Sequence, residues 1–455
     1  MKKVLILGAG MVAKPMATYF LERNIGVVVA SRTLSKAEFL VAGYLNGKAI
    51  KWTVDEEDVL RSLVEEADCV VSLLPYTYHV KVAKICIEKE TNLVTTSYLS
   101  EEMQNLNKKA LKKGVLLLNE IGLDPGIDHL SAQKTVDHIH SKGGNVIAFH
   151  SYCGSLPAPE YSDNPFGYKI GWSPKGVALA ARNSALYLKD GKEVKILPED
   201  LFGHYFKLDI EGIGKMEIYP NRDSVKYLEK YGIPEAKEIF RGTIRYPSWC
   251  DLWLTISQLG LLGTVERDLS GFTYRGFIKD LTNSKTDDLR RGIREYVDFD
   301  VPEEVLDKLE WIGLFSDKEI PIKQGGNIDV LVERMKEKLA YKDGEKDIVI
   351  LQDEVVGEIE DKKEIFISKL IDFGTVGEDT AIARTVSLPA ACAVDLMLKG
   401  EIREKGVLIP TKPAIYEPVL EELENVGIKL EEKVEPVGKE FGLNAKDFKT
   451  ALRDR

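Results

Sequence analysis

Cysteine is scarce in this chain, and the spacing of what there is excludes more than the number does. Five cysteines (Cys69, Cys86, Cys153, Cys250 and Cys392) lie far apart among 455 residues, with no C-x-x-C pair and no His/Cys spacing suited to zinc. No metal site or disulfide framework is expected; reduced, mostly buried thiols in a cytoplasmic protein are. Basic charge is also in deficit. Net charge is −11 and the Lys and Arg residues are scattered, so the footprint of a nucleic-acid binder is missing. No apolar run approaches the roughly 20 residues of a membrane helix, so no membrane partner is expected. The opening M-K-K-V-L-I-L-G has too short an apolar stretch for a secretory leader and reads as a strand. Internal repeats and low-complexity linkers are lacking too. At 44% hydrophobic residues the chain can bury a proper core, and its length implies two or three domains.

The first 120 residues alternate short β-rich runs (4–7, 27–30, 48–52, 69–74, 93–96 and 115–118) with helical patterns. Such alternation demands right-handed crossovers and a parallel, doubly wound α/β sheet. The first turn, Gly8-Ala9-Gly10-Met11-Val12-Ala13, is a G-x-G-x-x-A fingerprint directly after a strand and opening a helix. Gly8 makes the turn, Gly10 lets backbone approach a pyrophosphate, and Ala13 allows helix and strand to pack closely. After the second strand stands Ser31-Arg32-Thr33, where NAD enzymes keep a carboxylate. A guanidinium and two hydroxyls can bind a 2′-phosphate instead, which favours NADP(H). The plainer alternative is that Arg32 stacks on the adenine or is solvated.

Residues 119–129 read N-E-I-G-L-D-P-G-I-D-H after the strand-like 114–118. A carboxylate there, Asp124, opens into the crevice at the strand ends where such sheets bind ligands. From about residue 126 the rhythm changes: a strand-like 146–153, a proline-rich loop at 154–160, and a helical 174–188. Helical periodicity dominates 233–340, strands return at 346–356 and 364–373, and an Ala-rich helix spans 380–398. The division expected is a dinucleotide domain at 1–125, completed by a helix around 380–400; an α/β domain of 126–232 plus about 345–430; a helical domain at 233–344; and a charged tail at 431–455. Arg222 and Arg245 fall on short loops between apolar runs. His79, His138, His140, His150 and His204 read as surface or packing residues, Asp128-His129 as helix capping, and Cys153 as a structural thiol.

Several stretches together resemble the saccharopine reductase family, the NADP-dependent, glutamate-forming saccharopine dehydrogenases: Ser97-Tyr98, 119–129, 151–159 (S-Y-C-G-S-L-P-A-P), 162–168, 219–224 (Y-P-N-R-D-S) and 241–246 (R-G-T-I-R-Y). The resemblance implies a variant Rossmann domain, a second α/β domain for substrate and dimer contacts, and an all-helical domain. It places cofactor contacts on Gly10, Met11, Val12, Ala13, Ser31, Arg32, Thr33, Thr53, Val54, Leu74, Pro75, Tyr76, Ser97, Tyr98, Leu123, Asp124, Pro125 and Ser173. Substrate contacts fall on Tyr98, Leu99, Asp124, Arg222, Thr243, Ile244 and Arg245. Met11 and the Pro174-Lys175 pair depart from the family's usual residues. The implied enzyme is an oxidoreductase of CH–NH bonds, a homodimer, taking small amino-acid substrates.

The implied chemistry suits these residues. Saccharopine carries three carboxylates, which guanidiniums bind bidentately, and an iminium precursor that Asp124 could face. Proton transfer has several candidates: Asp124, Tyr98, Glu120, Asp128 and His129. Two other functions stay open at this point. One is a carboxynorspermidine or homospermidine-type dehydrogenase on the same scaffold, which would prefer an acidic pocket to two arginines. The other is an NADP-binding regulator without catalysis.

Overall fold

Continuous apolar runs such as V-L-I-L and C-V-V are what strands buried on both faces require, and they form the centre of a parallel sheet. A computed structural model of the chain describes residues 1–376, 379–438, 442–443 and 448–450. The amino-terminal part runs β1 (Lys3–Leu7), α1 (Lys14–Glu22), β2 (Gly26–Ser31), α2 (Leu34–Val41), β3 (Gly47–Lys51), α3 (Glu57–Glu65) and β4 (Cys69–Ser72). It continues through α4 (His79–Glu88), β5 (Asn92–Thr95), α5 (Glu101–Gln104), α6 (Asn107–Lys113), β6 (Leu116–Leu118) and α7 (Ile127–Ser141).

The middle of the chain supplies β7 (Asn145–Pro157), α8 (Pro174–Ala180), β8 (Ala185–Lys189), β9 (Lys192–Ile196), β10 (His204–Ile210), β11 (Gly214–Pro220), α9 (Lys226–Lys230) and β12 (Glu238–Arg245). A helical stretch follows: α10 (Trp249–Gln258), α11 (Tyr274–Thr282), α12 (Leu289–Tyr296), α13 (Glu303–Trp311) and α14 (Asn327–Lys338). The short pair β13 (Arg267–Asp268) and β14 (Gln324–Gly325) is interleaved with it. Then come β15 (Asp347–Ile359), β16 (Lys362–Phe373), α15 (Ala381–Lys399), β17 (Gly406–Leu408), α16 (Pro413–Asn425), β18 (Glu431–Pro436) and β19 (Lys449–Thr450).

These elements divide into two compact units, Met1–Gly144 with Phe366–Lys433, and Asn145–Ile365 with the described residues from Val434 on. In the first, seven strands lie in the order β17-β6-β5-β4-β1-β2-β3, all paired in parallel. In the second, β7 is flanked by β12 in parallel and β15 antiparallel, and β11 and β10 extend the sheet beyond β12.

The division differs from a boundary near residue 126. Helix α7 belongs to the first unit because it packs on α16, where Tyr416 donates to Asp137 at 2.7 Å. The stretch 366–430 joins the first unit as well, and 233–344 lies within the second rather than forming a domain of its own. Three segments were misread. Residues 185–189 form a strand on β12, not the end of a helix. β7 runs on through the proline-rich stretch to Pro157 because β15 pairs along its whole length. β12 is a strand inside a region whose pattern is otherwise helical. Helix α15 is long and apolar enough by length and composition to cross a membrane, contrary to expectation. Most of its side chains are buried within the first unit, so it is a core helix. All five cysteines are free and buried.

Candidate active site

In the first unit, Gly8 has φ +109, and a Cβ there would press on the Leu73 carbonyl at 3.2 Å, so the turn requires glycine. At Gly10 a Cβ would meet nothing within 4 Å, leaving open space beside bare backbone. Ala13 is fully buried at the start of α1, and no side chain caps that helix. An uncapped helix N-terminus behind a bare glycine turn fits a dinucleotide pyrophosphate. Met11 is exposed and Val12 half-buried on the same turn.

The end of β2 holds Ser31, Arg32 and Thr33, the residues expected at the adenine ribose. Ser31 accepts from the Thr33 amide at 3.4 Å, which folds the turn back on itself. Arg32 is exposed and makes no ion pair among the described residues, so its guanidinium is available to a 2′-phosphate. Replacing Arg32 with alanine is expected to reduce the preference for NADPH over NADH by about 10- to 100-fold in kcat/KM, the worth of one to two charge-assisted hydrogen bonds. Steady-state assays with both cofactors check it. Thr53 is tied through its amide and hydroxyl to Glu56 at 2.7 and 3.1 Å, and the Val54 carbonyl accepts from Lys81. Leu74, Pro75 and Tyr76 follow β4, with Pro75 and Tyr76 exposed.

Asp124 sits at the apex of a turn closed by its own backbone. The Gly122 amide donates to the Pro125 carbonyl at 2.8 Å, the Ile127 amide to the Gly122 carbonyl at 2.9 Å, and the Asp124–Pro125 peptide is cis. Leu123 and Pro125 are buried while Asp124 stays half-exposed. Its Oδ1 accepts from the Tyr98 hydroxyl at 2.5 Å. The two principal candidates are therefore in direct contact, and half-buried Leu99 adjoins them in sequence.

The other proton-transfer candidates are fully buried. Glu120 accepts from the Leu99 amide at 3.0 Å and meets His129 Nε2 at 2.7 Å. Asp128 accepts from the Gly126 amide at the start of α7, a capping contact.

The second unit holds the arginines. Arg222 follows β11 in a loop, and its Nε donates to Asn221 Oδ1 at 3.3 Å. Asn221 in turn donates to Thr243 Oγ1 at 3.0 Å, linking Arg222 to β12. The neighbouring Asp223 pairs with Lys226.

Arg245 is not on a loop as expected. It ends β12, on the same sheet face as Thr243, while Ile244 faces the opposite side and packs on Gly154 of β7. Arg245 is 8% exposed, and its guanidinium stands 5.3 Å from the Tyr168 ring centre and 5.0 Å from that of Trp249 and donates to the Ile244 carbonyl. No carboxylate pairs with it among the described residues, and its Nε has no partner. Ser173 caps α8, accepting from the Gly176 amide at 3.1 Å.

Three histidines read as bland are engaged groups. His150 lies between Glu238 and Glu354, and His204 meets Tyr187 Oη at 2.8 Å. His79 contacts the hydroxyls of Ser72, Thr95 and Ser97. None of these partners is within six residues in sequence, so no local signal reveals them. Burial pushes His79 down to about 4, and burial followed by the Lys189 charge does the same to His204. Unfolded, both titrate near 6.5. Between pH 6.5 and 4 the unfolded chain therefore binds more protons, and stability must fall as pH falls through that window. His150 acts outside this window: burial would lower it, but its glutamate bonds outweigh burial and raise it, so its contribution is in place below pH 6.5 and is lost as pH rises above that. Urea midpoints measured from pH 7 to 4.5 are expected to decline; a flat profile would contradict neutral buried imidazoles.

The tail also differs from a loose charged appendage. The Leu443 amide donates to Glu238 at 2.9 Å, β19 pairs with β10, and the Phe448 ring stacks on His204 at 4.6 Å.

A glycine-turn nucleotide site on a doubly wound sheet, with a tyrosine–aspartate pair at its strand ends, defines a dinucleotide-dependent oxidoreductase of the α/β class. Comparison with known proteins narrows this. Residues 4–118 match the saccharopine dehydrogenase NADP binding domain, and residues 122–428 the saccharopine dehydrogenase C-terminal domain. Saccharopine dehydrogenase [NADP(+), L-glutamate-forming] of Schizosaccharomyces pombe is 39% identical over 95% of this chain and 99% of its own length. The Saccharomyces cerevisiae protein of the same description is 40% identical over the same shares. The solved apo structure of saccharopine dehydrogenase (L-Glu forming) from Saccharomyces cerevisiae covers 96% of this chain and 100% of its own, with a TM-score of 0.87 and 39% identity. The chain belongs to the saccharopine dehydrogenase family.

Proposed function

We propose that this chain is an NADPH-dependent reductase of the imine formed from L-glutamate and L-2-aminoadipate 6-semialdehyde, giving L-saccharopine reversibly, a step of lysine metabolism. The observation that carries the reading is the buried Arg245 guanidinium, held on aromatic rings with no carboxylate of its own. A buried cation without a countercharge costs several kcal/mol, which a substrate carboxylate offsets.

Bound NADPH would supply the hydride. The first-turn backbone at Gly8, Gly10 and Ala13 would hold its pyrophosphate, and Ser31, Arg32 and Thr33 its 2′-phosphate. Arg222 and Arg245 take substrate carboxylates, with Thr243 beside them. Asp124 stabilises positive charge at the substrate nitrogen, and Tyr98 orients that carboxylate through their hydrogen bond. An iminium carbon is already electrophilic, so orientation and charge placement are the protein's main tasks in reduction. Forming the imine requires protons to move, and the Tyr98–Asp124 hydrogen bond supports a role for that pair in the transfer. A homodimer in the cytoplasm completes the reading; the free thiols support a reducing compartment.

The test is NADPH consumption with glutamate and the semialdehyde, run beside a carboxyspermidine-type substrate and beside NADH. Turnover only with the polyamine substrate, or NADPH binding with no turnover at all, would refute the proposal.

A further inference from the structure

His79 begins α4 and is 4% exposed. Its Nδ1 lies 3.0 Å from the hydroxyl of Ser72, the last residue of β4. Its Nε2 lies 3.0 Å from that of Thr95, the last residue of β5, and 2.9 Å from that of Ser97. Ser72 and Thr95 are register partners on adjacent parallel strands. The imidazole thus joins the carboxyl ends of two neighbouring strands, the edge at which doubly wound sheets bind ligands. The Ser97 amide donates to Thr95 Oγ1 at 3.2 Å, so Ser97 is held by both backbone and side chain. The next residue is Tyr98. Beyond it, the Leu99 amide is held by Glu120, itself bonded to His129. Tyr98 is therefore fixed on both flanks by buried polar groups.

We propose that His79 is a positioning residue for the reaction, holding Ser97 so that the Tyr98 phenol meets Asp124, with Glu120 securing the other flank. The inference rests on the proposed reductase function. Burial keeps the ring neutral near neutral pH, so it acts by hydrogen bonding at both nitrogens, donating at one and accepting at the other. An amide side chain can imitate only one of them. Glutamine reaches the Nε2 position and preserves the Thr95 and Ser97 side; asparagine reaches only the Nδ1 position and the Ser72 side.

The test is a double-mutant cycle in kcat, with the KM for NADPH and the melting temperature measured alongside. His79→Gln is expected to keep kcat within about threefold. His79→Asn should lower it about 10-fold while the KM for NADPH stays within about twofold. In a Tyr98→Phe background the same His79→Asn change should cost less than about twofold, because the hydroxyl it positions is gone. A purely structural role would cost the same in both backgrounds. Equal losses in both, or an unchanged kcat in His79→Asn, would overturn the proposal. Should His79→Asn fail to fold, Ser72→Ala removes the Nδ1 partner more gently. It is expected to cost about threefold in kcat in the wild-type background and nothing with Phe at position 98. An equal cost in both backgrounds would overturn the proposal. Wild-type protein without turnover sinks the reductase reading and this inference together; wild-type turnover with additive losses sinks this inference alone.

Discussion

Asp124→Asn is expected to lower kcat about 100-fold while leaving the KM for NADPH within a few-fold. The substitution preserves shape and can still accept from the Tyr98 hydroxyl, so the loss isolates the negative charge. In the proposed reaction that charge would face a nitrogen that is cationic in the imine, and acid–base groups of this kind contribute about 10²- to 10⁴-fold. Tyr98→Phe should cost less, about 10-fold, because the phenol orients the carboxylate rather than replacing it. Assays in both reaction directions would reveal the ranking. If Asp124→Asn and Tyr98→Phe each turn over within about threefold of wild type, the chemistry is elsewhere.

Arg245→Met should separate binding from folding. Methionine keeps a flexible stem against Tyr168 and Trp249 but removes the guanidinium. The KM for the amino-acid substrate is expected to rise about 100-fold, the worth of two hydrogen bonds to a charged group. The melting temperature should hold or rise, because a buried unpaired cation leaves the protein. Arg245→Lys should recover only part of the binding, since a point charge cannot reproduce a planar fork. A fall in melting temperature with unchanged KM would make Arg245 a structural residue.

The dinucleotide half of the fold was legible because its signals are local. Gly8, Gly10 and Ala13 act within one turn, and β1, β2 and β4 to β6 are short, mostly apolar runs between helices. The errors came where distant chain decides. Residues 185–189 alternate poorly and become a strand only because β12 and β9 pair with them. β12 lies amid helical periodicity and is a strand because β7 and β11 hold both its edges. Asp124 could be placed at a strand end from the motif alone. Its contact with Tyr98, 26 residues away, could not be read from spacing, nor could His79's three hydroxyls. The residue type at Arg245 suggests a carboxylate binder, but its contact with the Trp249 ring gave no advance sign.

The Gly122–Gly126 turn limits how this enzyme could be redesigned. Gly126 has φ +152, and a Cβ there would fall 1.9 Å from the Gly122 carbonyl oxygen; at Gly122 it would meet the Thr96 side chain at 3.0 Å. Mutant libraries aimed at new amine or carbonyl substrates should hold both glycines fixed. Diversity is better spent at Arg222 and Arg245, the proposed carboxylate binders, where altered side chains leave the aspartate's turn intact.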